Sequence, residues 1–228
     1  MRHHKLLFPL LLSCICTQAH ALSEDERMCR AGLYTAKPGN MEIASVKVQA
    51  GEKLYFMKDH DACPEKGDSC KEKAYILKGD EVLVSKHMGK WACAWFHGAK
   101  SATVGWLEAD KLVSKPISQG KLDDWSGDWN FYKSGFLKFR KDGAALTVEG
   151  QAYWRGLNDN VHTGDISARI TPQITAKNNM AQLKDGDDQY SCMVNFRLLG
   201  DYLVVADNKN CGGANVSFDG VYRKTRAK

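Results

Sequence analysis

Short runs in which apolar and polar residues alternate, separated by Gly, Asn, Asp and Lys, recur along the chain from about residue 46 onward. Val46-Lys47-Val48, Lys53–Met57, Glu81–Val84 and Trp91–Phe96 read as strands, and alternation gives each an inward and an outward face. A second series follows: Phe136–Arg140, Ala145–Gly150, Tyr190–Leu198, Tyr202–Val205 and Asn215–Tyr222, with the hairpin signal Asp142-Gly143 between the first two. Only Ser23–Met28 has the capping-box spacing of a helix start, Ser23 to Glu26. The pattern breaks at Ser114–Lys121, where Pro116, Gln119 and Gly120 interrupt any apolar period. The chain is therefore expected to be all-β, with a first domain over 22–115, a linker over 116–121 and a second domain over 122–228.

Residues 1–21 change the composition that matters. Arg2 and Lys5 precede the apolar run Leu6–Ile15, and Ala19-His20-Ala21 supplies a small-residue cleavage site, which is the layout of an export signal. Its removal leaves 207 of the 228 residues, and 30 Lys and Arg against 27 Asp and Glu, a net charge of +3 in place of +5. So small a surplus, with no basic block, excludes a nucleic-acid binder of the usual electrostatic kind. No other apolar stretch approaches the roughly 20 residues needed to span a bilayer as a helix. The expected location is periplasmic or secreted. Leu11-Leu12-Ser13-Cys14 resembles a lipobox, which makes a lipid-anchored Cys14 the alternative.

Six cysteines follow the signal, an even set suited to disulfides in an oxidising compartment. Cys192 and Cys211 stand apart and pair with each other. Cys63 and Cys70 flank the turn-rich segment Pro64–Ser69, which leaves Cys29 for Cys93.

The stretch Tyr75–Val113 carries a Gly79-Asp80 turn before Glu81–Val84, then Gly89-Lys90-Trp91, then Gly105-Trp106-Leu107. In this it resembles bacterial SH3-like (SH3b) domains. The resemblance implies a small barrel and recognition of cell-wall peptides, with Tyr55, Tyr75, Trp91, Trp95 and Trp106 as candidates for an aromatic groove; Trp91 and Trp106 follow turns and are favoured as rim residues. The second domain reads as a small antiparallel barrel or sandwich. Gly127-Asp128-Trp129 with a late Arg223 is similar to lipocalin-like barrels, which implies that Arg223 packs on Trp129. The segment Tyr202–Tyr222 is similar to the C-terminal modules of secreted bacterial proteins, some associated with lysozyme inhibition.

Catalytic chemistry is not legible. Asp59-His60-Asp61 is weak as a metal site, since neighbours on a strand point to opposite faces. His162 and Asp165 lack a nucleophile, and Asp185-Gly186-Asp187-Asp188 lacks the rest of a calcium loop. Asp207, Asn208 and Asn215 read as loop hydrogen-bonders. With every remaining cysteine assigned to a bridge, no enzyme, metal or cofactor is expected. The sequence points to a binding protein whose partner is a peptidoglycan peptide or an envelope protein. An inhibitor of a cell-wall-degrading enzyme is the alternative.

Overall fold

The computed structural model describes residues 28–30, 41–60, 62–117, 120–157, 160–175 and 179–225. The export signal, Cys14, the Ser23–Arg27 helix start, Asp61 and part of the linker lie outside them.

Seven strands form the first sheet: β1 (Glu42–Val46), β2 (Leu54–Met57), β3 (Lys71–Ile76), β4 (Glu81–Met88), β5 (Trp91–His97), β6 (Ala102–Glu108) and β7 (Leu112–Lys115), in the order β3-β2-β6-β5-β4-β1-β7. All pairings are antiparallel. Gly89 makes the tight β4–β5 turn at φ +56°, a left-handed conformation that a side chain disfavours. The expected Gly79-Asp80 turn is present too, and there the Asp80 carboxylate accepts the Leu77 N–H at 2.8 Å.

Alternation explains what each face does. Val82 and Val84 of β4 share one buried cluster with Ala44 and Val46 of β1, Phe56 of β2 and Ile76 of β3. Strands from both ends of the sheet thus contribute to one core, so the sheet curls over it. Leu83 points the other way, into a second cluster with Trp91, Trp95 and Trp106.

The second sheet has nine strands: β8 (Gly127–Phe131), β9 (Gly135–Asp142), β10 (Ala145–Arg155), β11 (Val161–Ile170), β12 (Gln173–Ile174), β13 (Asn179–Asp185), β14 (Cys192–Leu199), β15 (Tyr202–Asp207) and β16 (Gly220–Lys224). Their order is β11-β10-β9-β8-β16-β15-β14-β13-β12, a meander in which β16 returns to pair with β8. The Asp142-Gly143 signal is the β9–β10 hairpin, with Asp142 opposite Ala145 and Gly143 at φ +61°. The concave side is filled by side chains, among them Trp125, Trp129, Phe139, Phe196, Phe218 and Tyr222. The protein is all-β with two antiparallel sheets. Among the described residues, neither ladder of hydrogen bonds closes into a barrel.

The two sheets are joined by packing. Tyr202 and Val204 of β15 and Val221 of β16 lie in the same cluster as Trp91, Trp95 and Trp106, while Leu203, Val205 and Tyr222 alternate into the second sheet's own core. A strand buried on both faces needs no polar alternation, which is why Tyr202–Ala206 is an unbroken apolar run.

Three disulfides are present: Cys29–Cys93, Cys63–Cys70 and Cys192–Cys211. They are the pairs expected from spacing, and they mark a chain that matures outside the reducing cytoplasm. No helix among the described residues is long and apolar enough to cross a membrane.

Candidate functional site

Two of the aromatic residues singled out in the sequence meet at one cleft. Tyr55 of β2 and Trp91 at the start of β5 line a depression of about 240 Å³, together with Lys53, Lys71, Lys90 and Glu108. The cross-strand pairing of Trp91 with Glu108 places a carboxylate beside the indole. Gly67 and Asp68 form another wall, so the Cys63–Cys70 loop shapes the cleft as well as closing on itself.

Lysines cover the rings. Lys90 Nζ lies 5.0 Å from the Trp91 ring centre, Lys71 Nζ 5.6 Å from that of Tyr55, and Lys53 Nζ 4.3 Å from that of Tyr75. Tyr75 stands on β3 directly opposite Tyr55, ring centres 5.7 Å apart, and is 42% exposed. Lys71 also pairs with Asp68 at 2.8 Å. That hydrogen bond first, and the opposite charge second, lower the Asp68 carboxyl below its ordinary range and raise the Lys71 amine above its own. Both groups are in solvent, so the pair orients the amine more than it stabilises the fold.

The other aromatics belong to the packing. Trp106, expected at the rim, is instead fully buried, because it sits within β6 opposite Cys93 and faces the cluster that holds Leu83 and Trp95. Trp95 packs edge-on against Tyr202, ring centres 5.9 Å apart, at the junction of the sheets. Trp91 itself is 3% exposed, so it lines the cleft as a nearly buried ring. The lysines went unnoticed in the sequence: only Lys90, the neighbour of Trp91, is adjacent in sequence to the ring it covers, whereas Lys53 reaches Tyr75 and Lys71 reaches Tyr55 across strands.

Chemically, the cleft offers the half-buried Tyr55 ring for apolar groups, amines for carboxylates, and Glu52 and Glu108 for amino groups. Such a mixture suits a short zwitterionic chain with side chains of both kinds.

The remaining candidates take structural parts. Asp59 accepts the Cys29 N–H at 2.9 Å and meets Arg30 at 3.7 Å. His162 lies opposite Trp154 with ring centres 5.2 Å apart, while Asp165, three residues on, is bound by Gln151 on the other face of β11. Asp188 accepts hydrogen bonds from Tyr190 N and Ser191 Oγ, making an ordinary turn. No cluster of metal-ligating side chains occurs among the described residues.

The expected Arg223–Trp129 contact is also corrected. Arg223 does not pack on Trp129: Lys224 does, its Nζ 5.4 Å from the ring centre, whereas Arg223 lies 4.1 Å over Tyr202. Register is the reason. Lys224 is paired with Trp129 and Arg223 with Asn130, so the arginine leaves by the opposite face of β16 and joins the junction between the sheets.

No protein-family model, no curated protein and no solved structure matches the chain.

Proposed function

We propose that the protein is a non-enzymatic binding protein outside the cytoplasm, and that the Tyr55–Trp91 cleft takes a short peptide carrying both acidic and basic groups. The observation that carries this reading is the convergence of Tyr55, Trp91 and three lysines at one depression. The likeness of Tyr75–Val113 to bacterial SH3-like domains supports it, and makes a cell-wall stem peptide or a segment of an envelope protein the preferred ligand. Export and three disulfides set the compartment in which such ligands occur.

The test is titration of purified protein with soluble stem peptides, beside retention on a cell-wall pellet. Tyr55→Ala removes an accessible ring and leaves the buried tryptophans in place, and Lys90→Glu reverses the charge over Trp91. Both variants should weaken binding while the melting temperature holds. Binding unchanged in both would rule the cleft out as the site. Sustained release of wall fragments by the purified protein would refute the non-enzymatic reading. A nanomolar complex with a wall-degrading enzyme, with loss of its activity, would favour the inhibitor reading instead.

A further inference from the structure

The lining of the Tyr55–Trp91 cleft carries six charged side chains, and most of them are already committed. Lys71 pairs with Asp68 at 2.8 Å. The Glu52 carboxylate turns back to accept the Gln49 N–H at 2.9 Å. Lys53 leans out over Tyr75. Lys90 and Glu108 remain, opposite in sign and both beside Trp91: Lys90 precedes it in the chain, and Glu108 is its cross-strand partner. Neither forms an ion pair with any described residue.

The backbone fixes how far apart these two charges are rooted. Residues directly opposite in an antiparallel ladder start their side chains about 4.5–5.5 Å apart, as Trp91 and Glu108 do here. The Ala109 N–H donates to Lys90 O at 2.9 Å and ties the two strand ends together. Yet the exposed Lys90 amine lies over the Trp91 ring, 5.0 Å from its centre, and not on the half-buried Glu108 carboxylate. A carboxylate and an amine thus stand side by side with their charges uncommitted. At about 240 Å³ the depression is smaller than the roughly 300–1,000 Å³ usual for small-molecule sites, so it suits one end of a peptide better than a run of residues.

We propose, resting on the reading of this cleft as a peptide site, that it takes a peptide end bearing an ammonium and a carboxylate on one carbon. Glu108 holds the ammonium, Lys90 holds the carboxylate, and the Tyr55 ring covers the methylenes that follow. Both contacts are charge-assisted hydrogen bonds, which are the stronger kind. An α-linked peptide offers no such head group, because its amino and carboxyl termini lie at opposite ends of the chain. A peptide joined through a side-chain carboxyl, as in a γ-glutamyl linkage, keeps both charges together and satisfies Lys90 and Glu108 at once.

The experiment is a calorimetric titration of the full chain with two isomers, γ-glutamyl-alanine and α-glutamyl-alanine, at about pH 6.5, where both are ionised. They hold the same atoms and the same charges, and differ in whether the ammonium shares its carbon with a carboxylate. The γ isomer should bind about tenfold more tightly. Glu108→Gln and Lys90→Gln should each bring the two isomers to within about twofold, whereas a merely structural part for either residue would weaken both isomers alike. Neither position is buried or ion-paired, so thermal melts should report an unchanged fold. Isomers of equal affinity, both weakened by Tyr55→Ala, overturn the head-group assignment and leave the peptide site standing. A γ preference that survives both variants overturns the parts given to Lys90 and Glu108. Free glutamate binding as tightly as γ-glutamyl-alanine would make the ligand an amino acid and overturn the proposal as well. Stem peptides held through Tyr55 while neither isomer binds would sink this inference alone; no peptide bound at all would sink the peptide reading with it.

Discussion

His97 and Tyr132 stack across the junction of the two sheets, with ring centres 4.9 Å apart and planes within 15° of parallel. The Tyr132 hydroxyl lies 3.0 Å from His97 Nδ1 and 3.2 Å from Gly98 O, so one phenol engages both the imidazole and the backbone beside it. Burial, and then the charge of Arg223, hold His97 below its ordinary value near 6.5. The folded state consequently binds this proton less well than the unfolded chain. Its stability contribution is complete above about pH 6.5, falls as the pH drops through that value, and stops changing below the folded pKa. Thermal melts of wild type and His97→Gln between about pH 7.5 and pH 5 isolate the effect, because titrating carboxylates act on both proteins alike. Wild type should lose more stability on acidification than the variant. Parallel losses would show that His97 is not what senses pH at the junction.

Tyr202 couples the same two sheets through packing. Buried on β15, it presents an edge contact to Trp95 and lies under the Arg223 guanidinium. Truncating a large buried aromatic side chain costs about 3–5 kcal/mol. Because this ring bridges the sheets, Tyr202→Ala should also split a single calorimetric transition into two, whereas Tyr202→Phe should keep one. A single transition in Tyr202→Ala, merely shifted to lower temperature, would place the coupling elsewhere.

Local chemistry was the legible part of this fold. Cys63 and Cys70 flank a short turn, Asp142-Gly143 makes a hairpin, and alternation in β4 separates Leu83 from Val82 and Val84, all within a few residues of sequence. What stayed hidden depends on partners distant in the chain. The apolar run Tyr202–Ala206 announces a strand, but not that one face packs on Trp95, over 100 residues earlier. Whether Arg223 or Lys224 meets Trp129 depends on the register of β16 against β8, where a shift of one residue exchanges the faces. For the candidate cleft, Tyr55 and Trp91 were visible as aromatic residues near turns. The amines over them were not, because a lysine among polar residues looks like any other part of a solvated face.

Gly164 is predicted to tolerate no side chain. A methyl group there would sit 2.2 Å from Cys211 O and 2.8 Å from Gly212 Cα, both backbone atoms. The segment after Cys211 crosses β11 at this point, and a methyl on Gly212 would in turn meet Gly164 Cα at 2.9 Å. Two glycines facing each other let one backbone lie against another, with the Cys192–Cys211 bridge fastening the crossing. Gly164→Ala should cost about 1–3 kcal/mol, the usual range for overpacking. It reads out as a lower urea midpoint, with exposed Ser167→Ala on the same strand as the control. Equal midpoints for the two variants would contradict so close a crossing.

Asp207 makes the sharpest demand on side-chain chemistry. Its carboxylate is fully buried at the end of β15, and both oxygens face donors. One oxygen accepts Phe218 N at 2.6 Å; the other accepts Lys209 N at 2.9 Å and Ser217 Oγ at 3.2 Å, with Lys209 Nζ at 3.6 Å. Asp219 ties in beside it, accepting the Asp207 N–H at 2.6 Å and pairing with Lys209. The network seats the segment that carries Phe218, whose carbonyl accepts the buried Tyr222 hydroxyl at 3.1 Å. Burial first, then the charges of Asp207 and Asp219, raise the pKa of that phenol, so it stays a neutral donor. Asn is nearly isosteric with Asp but turns an NH₂ toward donors on one side, whichever way the amide is placed. Asp207→Asn should therefore destabilise by at least the roughly 1–3 kcal/mol of a buried polar group left unsatisfied. Hydrogen exchange at Phe218 and Tyr222 should rise with it. Asp219→Asn, which loses a partly exposed ion pair, should cost less. If the two variants cost the same, the carboxylate of Asp207 would not be what seats the Phe218 segment.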